Sequence, residues 1–135
     1  MRWKNSFPRA NRNPLKPLAL LCFSNALLSG QLLSRLQDMG YRVHTVHDVT
    51  TLQEVCEREK PIVLLVEFST QPEVGEGVSR VKKAAATAHI PVLAICVSPD
   101  KVAQAAAEQA GVTLLAGTAA VQEHLPQLLD KVLEI

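Results

Sequence analysis

The sequence predicts a doubly wound α/β domain built on a five-stranded parallel sheet. Short apolar runs alternate five times with stretches that carry apolar residues at helical spacing. Three of those runs, LALLCF, IVLLV and IPVLAICV, hold almost no polar residue, as strands covered on both faces require. The composition agrees: 47% hydrophobic residues but only 4% aromatics give an aliphatic core, suited to helices packed on a sheet rather than to an aromatic-rich sandwich. At 135 residues the chain is long enough for one domain with a closed core.

The elements follow in order. Leu18 to Phe23 is the first strand. Asn25 to Met39 has its apolar stripe at Leu28, Leu32, Leu33, Leu36 and Met39, and Gly40 closes this helix as a C-terminal cap. Tyr41 to Val46 is a short strand with His44 and Thr45 polar, so it is expected at or near an edge. Thr51-Leu52-Gln53-Glu54 matches a capping box and predicts a second helix to about Lys60, stopped by Pro61. The third strand runs from Ile62 and finishes on a lone carboxylate, Glu67. Residues 71–77 read as loop, because Pro72, Gly75 and Gly77 break regular structure, and Val78 to His89 follows as a weak helix.

Ile90 to Val97 is the fourth strand. Ser98-Pro99-Asp100 combines a cap, a proline at the first helical position and an acid on the helix dipole, and predicts a helix from Lys101 to Ala110 ended by Gly111. Val112 to Ala116 is the fifth strand and Gly117 to Val121 a turn. The last helix carries Leu125, Leu128, Leu129, Val132 and Leu133; Pro126 fits only its first turn, so it should begin near Glu123 or His124. Units of roughly 20 to 25 residues demand tight connections and right-handed crossovers. Strands one, three and four are the central ones, and a site belongs in the crevice at the strands' C-terminal ends.

Charge is unevenly placed. Net charge is +1, yet Arg2, Lys4, Arg9, Arg12 and Lys16 precede the first acid, Asp38, leaving nine basic residues against 13 acids in the body. Residues 1–16 read as a flexible basic tail, and residues 17–135 as the folded domain. Trp3 and Phe7 give the tail two apolar anchors, for this domain or for a partner. Five charges without an aromatic-basic groove favour an ordinary tail over a nucleic-acid-binding arm. Cys22, Cys56 and Cys96 are odd in number and form no CxxC pair, which argues for reduced, buried thiols in a cytoplasmic protein. No run approaches the ~18 apolar residues of a membrane span, and no secretory signal is expected.

Several short stretches, in order and at matching distances, carry a resemblance. They are Leu36-Gln37-Asp38-Met39-Gly40-Tyr41-Arg42-Val43, Lys60-Pro61-Ile62-Val63-Leu64-Leu65-Val66-Glu67, Ile90-Pro91-Val92-Leu93-Ala94-Ile95 and Ala106-Ala107-Glu108-Gln109-Ala110-Gly111-Val112. Together they resemble the receiver domain of two-component response regulators, which implies a flavodoxin-like fold with strand order 2-1-3-4-5 from Pro17 onward. The chemistry of that family departs here. The acidic pair that holds magnesium falls on Phe23 and Ser24 (or, one residue earlier, on Cys22 and Phe23). The phosphoacceptor position is Glu67, the switch-hydroxyl position Cys96, and the lysine position Thr118 or Gly117.

The resemblance therefore implies a degenerate pseudo-receiver: a non-catalytic signalling domain in two-component signalling or a phosphorelay, acting by protein–protein contact without phosphorylation. It implies no metal and no cofactor, and a homodimer through helix four, strand five and helix five is a further expectation. The alternatives are an atypical phosphorylatable receiver and a small flavodoxin-like ligand-binding domain. Glu67 has two readings, a built-in mimic of aspartyl phosphate or a solvated strand-end carboxylate. Cys22 and Cys96 both lie near strand ends, but in this strand order strand three separates them, and they read as small buried hydrophobes. His44 and His47 lack further ligands at zinc spacing beyond Asp48. Gly75-Glu76-Gly77 lacks the pattern of a phosphate cradle.

Overall fold

The computed structural model describes residues 17–23, 26–68, 72–96 and 101–133. The tail expected over residues 1–16 and the Ser98-Pro99-Asp100 helix start lie outside the described residues, as does Ser24.

The elements are β1 (Leu18–Cys22), α1 (Ala26–Asp38), β2 (Arg42–Thr45), α2 (Leu52–Glu59), β3 (Val63–Phe68), α3 (Pro72–Lys83), β4 (Val92–Cys96), α4 (Lys101–Ala110), β5 (Leu114–Gly117) and α5 (Thr118–Leu133). The sheet is parallel throughout, in the order β2-β1-β3-β4-β5. The central placing of strands one, three and four is as their unbroken apolar runs require, and β2, half-buried along its length, is an edge.

Side chains alternate across the sheet into two cores. Leu20, Cys22, Leu64, Val66, Phe68, Val92, Ala94 and Cys96 pack with α2, α3 and α4. Ala19, Leu21, Phe23, Val63, Leu65, Leu93, Ile95 and Ala116 pack with α1 and α5. Helix ends follow local chemistry. Gly40 and Gly111 take left-handed φ of +93° and +89° after α1 and α4, where a side chain would be strained. Lys60 adopts the same region (φ 53°) after α2, with its amide donating to Cys56 O.

Three expectations need correction. The loop-then-helix reading of 71–89 is shifted: α3 begins at Pro72 and ends at Lys83. Gly75 and Gly77 both lie inside this helix, and at Gly77 a neighbour presses on it. A Cβ on Gly77 would sit 2.7 Å from Val49 Cγ2 and 2.9 Å from Val49 O, so glycine admits the close approach. Beyond Lys83 the chain turns instead of continuing, held by Lys82 Nζ donating to Ala88 O and Ile90 O (2.9 Å each) and by the Thr87 hydroxyl donating to Val81 O (2.6 Å).

Second, the Thr51–Glu54 capping box does not form. A 3₁₀ turn, Val49–Thr51, precedes α2, and Asp48 takes the capping role, its carboxylate accepting from the Thr50 amide at 3.0 Å; Thr51 makes no side-chain cap bond. Third, the segment read as a turn from Gly117 to Val121 splits: Gly117 ends β5, which starts only at Leu114, and helix begins at Thr118. The expected start near His124 survives as a break, since His124 has φ −128° and ψ 30° in mid-helix, and Pro126 lies in the first turn after it. No helix among the described residues is long and apolar enough to cross a membrane.

Candidate functional site

Parallel strands put all their C-terminal ends on one edge, so the candidate residues after β1, β3, β4 and β5 meet there. Glu67 is the second-last residue of β3, half-buried, and pairs in register with Ile95 of β4. On the other side, β1 and β3 end their pairing at Cys22 with Val66, and Phe23 lies one step further, beside Glu67. Phe23 is 7% exposed and belongs to the core formed with α1 and α5. Its ring is turned inward, so β1 offers an apolar plug where the resemblance asks for a carboxylate.

Cys96 closes β4, buried, in register with Phe68 and Gly117. Its thiol packs into the core of α2, α3 and α4, which fits the reading of a small hydrophobe. Thr118 opens α5 from the end of β5, and its hydroxyl oxygen is buried without a hydrogen-bond partner among the described residues. Cys22, Cys56 and Cys96 are all free thiols.

One acid of this edge escaped the sequence reading. Burial pushes the Cys22 thiol up to about 11, and the negative charges of Glu67 and, less strongly, of Asp48 push it the same way. Both carboxylates therefore bear on the end of β1, one from β3 and one from the turn after β2. Asp48 stays ionised more firmly than an ordinary aspartate, because the Thr50 hydroxyl (2.6 Å) and amide donate to it. The signal available in the sequence was its place three residues past a strand, at the edge where sites collect; a capping acid and a site acid look alike there.

A receiver-type site raises the question of a magnesium ion. Magnesium needs several oxygen ligands in near-octahedral array. The residues here do not fit it: Phe23 supplies a hydrocarbon, and among the described residues no three His, Cys, Asp or Glu side chains converge. Cys22, held protonated by burial, is a poor ligand for a hard cation.

Fold comparison gives the class. The fold is that of response-regulator receiver domains. A proposed response regulator from Chloroflexus aurantiacus superimposes with a TM-score of 0.79 at 17% identity, covering 89% of this chain and 99% of that one. The receiver domain of a sensor histidine kinase from Pseudomonas aeruginosa, solved with a magnesium ion coordinated in its active-site cleft, gives 0.77 at 16% identity, covering 89% and 99%. The chemotaxis protein CheY4 of Vibrio cholerae gives 0.75 at 18%, covering 87% and 98%. No family model and no curated protein matches the chain.

Proposed function

We propose that this chain is a pseudo-receiver: a signalling domain that works by protein–protein contact and does not take up a phosphoryl group. The observation that carries this reading is the buried Phe23 ring beside Glu67. Phosphoryl transfer depends on positioning and on cations that neutralise the charge on the transferred group. Here the position of the metal-holding acid is apolar, that of the switch hydroxyl is Cys96, and that of the lysine is Thr118. Glu67 places a carboxylate at the strand end, and Phe23, Cys96 and Thr118, at the matching described positions, do not supply the receiver machinery.

In this reading the domain has no catalytic residue and needs no metal or cofactor. Three free, buried thiols favour a reducing, cytoplasmic setting. Partners are proteins, and a second copy joined through α4, β5 and α5 is one of them; the exposed Val102 on α4 supplies apolar surface for it.

The test is incubation of the full chain with acetyl phosphate and magnesium, read by intact mass. No added phosphoryl mass is expected. A stoichiometric, magnesium-dependent adduct overturns the reading and favours an atypical phosphorylatable receiver.

A further inference from the structure

Grooves run between α1 and α5 and between α3 and α4, and their charged side chains differ. In the first, Arg35 is already bonded and donates to Gln122 O. The second, about 490 Å³, is lined by Arg80 and Lys83 on α3 and by Ala106 and Ala110 on α4. Both of its cations are exposed and enter no ion pair among the described residues. Glu76, one turn before Arg80 in the same groove, does not pair with it. Lys82, between the two cations in sequence, is the contrast: its Nζ donates to Ala88 O and Ile90 O.

The helix dipole favours cations in the last turn of α3 but does not account for the groove beside them. Gly75 lines that groove too. A Cβ there would meet Ala106 no closer than 3.9 Å, so packing does not require glycine, as it does at Gly77. Glycine inside a helix costs stability relative to alanine. What it leaves here is open space beside Ala106.

We propose that the α3–α4 groove binds a small phosphomonoester with a hydroxylated carbon skeleton, of the sugar-phosphate class, held without covalent change. Arg80 and Lys83 are three residues apart on one helix, with about 5–6 Å between such Cβ atoms, so both reach one anionic group. A phosphomonoester carries about −1.5 to −2 charge at neutral pH, which two cations match; a carboxylate offers half of that. The planar guanidinium bonds two phosphoryl oxygens at once, and Lys83 adds a point charge. Glu76 repels a second anionic group from the neighbouring turn and accepts hydrogen bonds from hydroxyls there. Ser79 and Gln109 add neutral polar contacts from the two walls, and the methyls of Ala106 and Ala110 face the carbon skeleton. The volume lies within the roughly 300–1,000 Å³ of small-molecule sites. The groove reaches Lys83 and Ala110, the last residues of their helices, and so lies away from the strand-end crevice and Glu67.

The test is a titration of the full, isotope-labelled chain with glucose-6-phosphate at constant ionic strength, read by amide chemical shifts. Saturable shifts centred on α3 and α4 are expected, with inorganic phosphate several-fold weaker and glucose silent. Arg80→Gln should weaken binding about ten-fold or more, the loss of a hydrogen-bonded charge pair. Gly75→Leu should do the same with every charge kept, because it fills the groove. Lys131→Gln, in the last turn of α5, removes a cation outside the groove and should change nothing. The spectra show whether each variant folds; if Gly75→Leu does not, Arg80→Gln against Lys131→Gln decides. Absence of saturable shifts overturns the proposal. So does equal binding of succinate or inorganic phosphate, which leaves a site for any anion, or an equal loss in Lys131→Gln, which leaves only general attraction.

Discussion

Glu67 and Phe68 are neighbours on β3, yet they answer to different constraints. Phe68 is 1% exposed and packs into the core with α2, α3 and α4, where every neighbour's volume is set by its own packing. Glu67 points the other way, half-buried at the strand-end crevice, between Phe23 and Ile95. Interiors packed to crystal-like density tolerate little change. Along this edge Glu67 is paired in register with Ile95, while Phe23 and Cys96 pack into the cores on the two faces. In the proposed pseudo-receiver reading, the fold keeps its shape while the positions of the acidic pair, the switch hydroxyl and the lysine change. Fold and site are separable properties of one strand.

The contrast is broken most directly by truncating its packed member. Phe68→Ala should cost about 3–5 kcal/mol of unfolding free energy, by lost burial plus the cavity left behind. Urea denaturation measures it; a cost below about 1 kcal/mol would mean that the core around Phe68 relaxes freely. Gly77→Ala should come next. Its Cβ would meet Val49 at 2.7 Å and 2.9 Å, and the backbone oxygen cannot rotate away, so about 1–3 kcal/mol of overpacking is expected. Gly75→Ala is the internal control: its nearest neighbour is Ala106 O at 3.9 Å, ordinary contact, and the better helix former should add up to about 1 kcal/mol. Equal effects at the two glycines would remove the argument that α3 is pressed against the turn at Val49.

Glu67→Gln removes the charge and keeps the shape. Surface-type replacements of this kind stay within about 0.5 kcal/mol, so the urea midpoint should barely move. A fall of 2 kcal/mol or more, against the roughly 0.5 kcal/mol expected, would show that Glu67 is structural and not a tolerant crevice residue. The same variant bears on signalling: if Glu67 mimics an aspartyl phosphate, its affinity for a partner should drop, and unchanged affinity would leave only a solvated strand-end carboxylate.

The centre of the molecule was legible because both faces of β1, β3 and β4 are covered, and their runs had to be continuously apolar. The misread segments are those where local signals and packing disagree. Gly75 and Gly77 look like breakers in any window of sequence, yet both lie inside a helix, and only Val49, 28 residues before Gly77, explains the glycine at position 77. Thr51 and Glu54 have the spacing of a cap, but Asp48 starts its own turn first, and the Thr51 hydroxyl donates back to Asp48 O at 2.8 Å instead of capping α2. At the crevice, Glu67, Phe23, Cys96 and Thr118 are singled out by the resemblance, and the parallel strands carry them to one edge of the sheet. The convergence of Asp48 with Glu67 on Cys22 is not legible in that way, because it joins two elements through space.

Stability should also carry the signature of the buried thiols. Burial holds Cys22 at about 11 and Cys56 at about 12, against an ordinary value of 9.0. A pKa raised by folding means that the native state binds the proton more tightly. That contribution is complete below the unfolded value of 9.0 and is lost as pH climbs through about 11 and then about 12. The urea midpoint should therefore fall above pH 9.0, and Cys56→Ala should flatten the fall while imposing its own cavity cost. A midpoint independent of pH across that range would mean that these thiols are not held protonated.

The smallest effect sharpens the comparison most, because it reads the crevice itself. After burial, Glu67 is the larger of two charges opposing ionisation of Cys22, and Asp48 the smaller. Alkylation by iodoacetamide needs the thiolate. Glu67→Gln should accelerate labelling of Cys22 in the folded chain, Asp48→Asn should do so less, and each change should be a few-fold at most. Cys56 is the control within the same molecule: its thiol is raised by burial and by Cys22 but not by Glu67, so its rate should stay put. Parallel acceleration of both cysteines would signal general loosening. No acceleration at Cys22 would mean that the carboxylate of β3 does not bear on the end of β1, and the crevice would have to be redrawn around Phe23 and Asp48 without it.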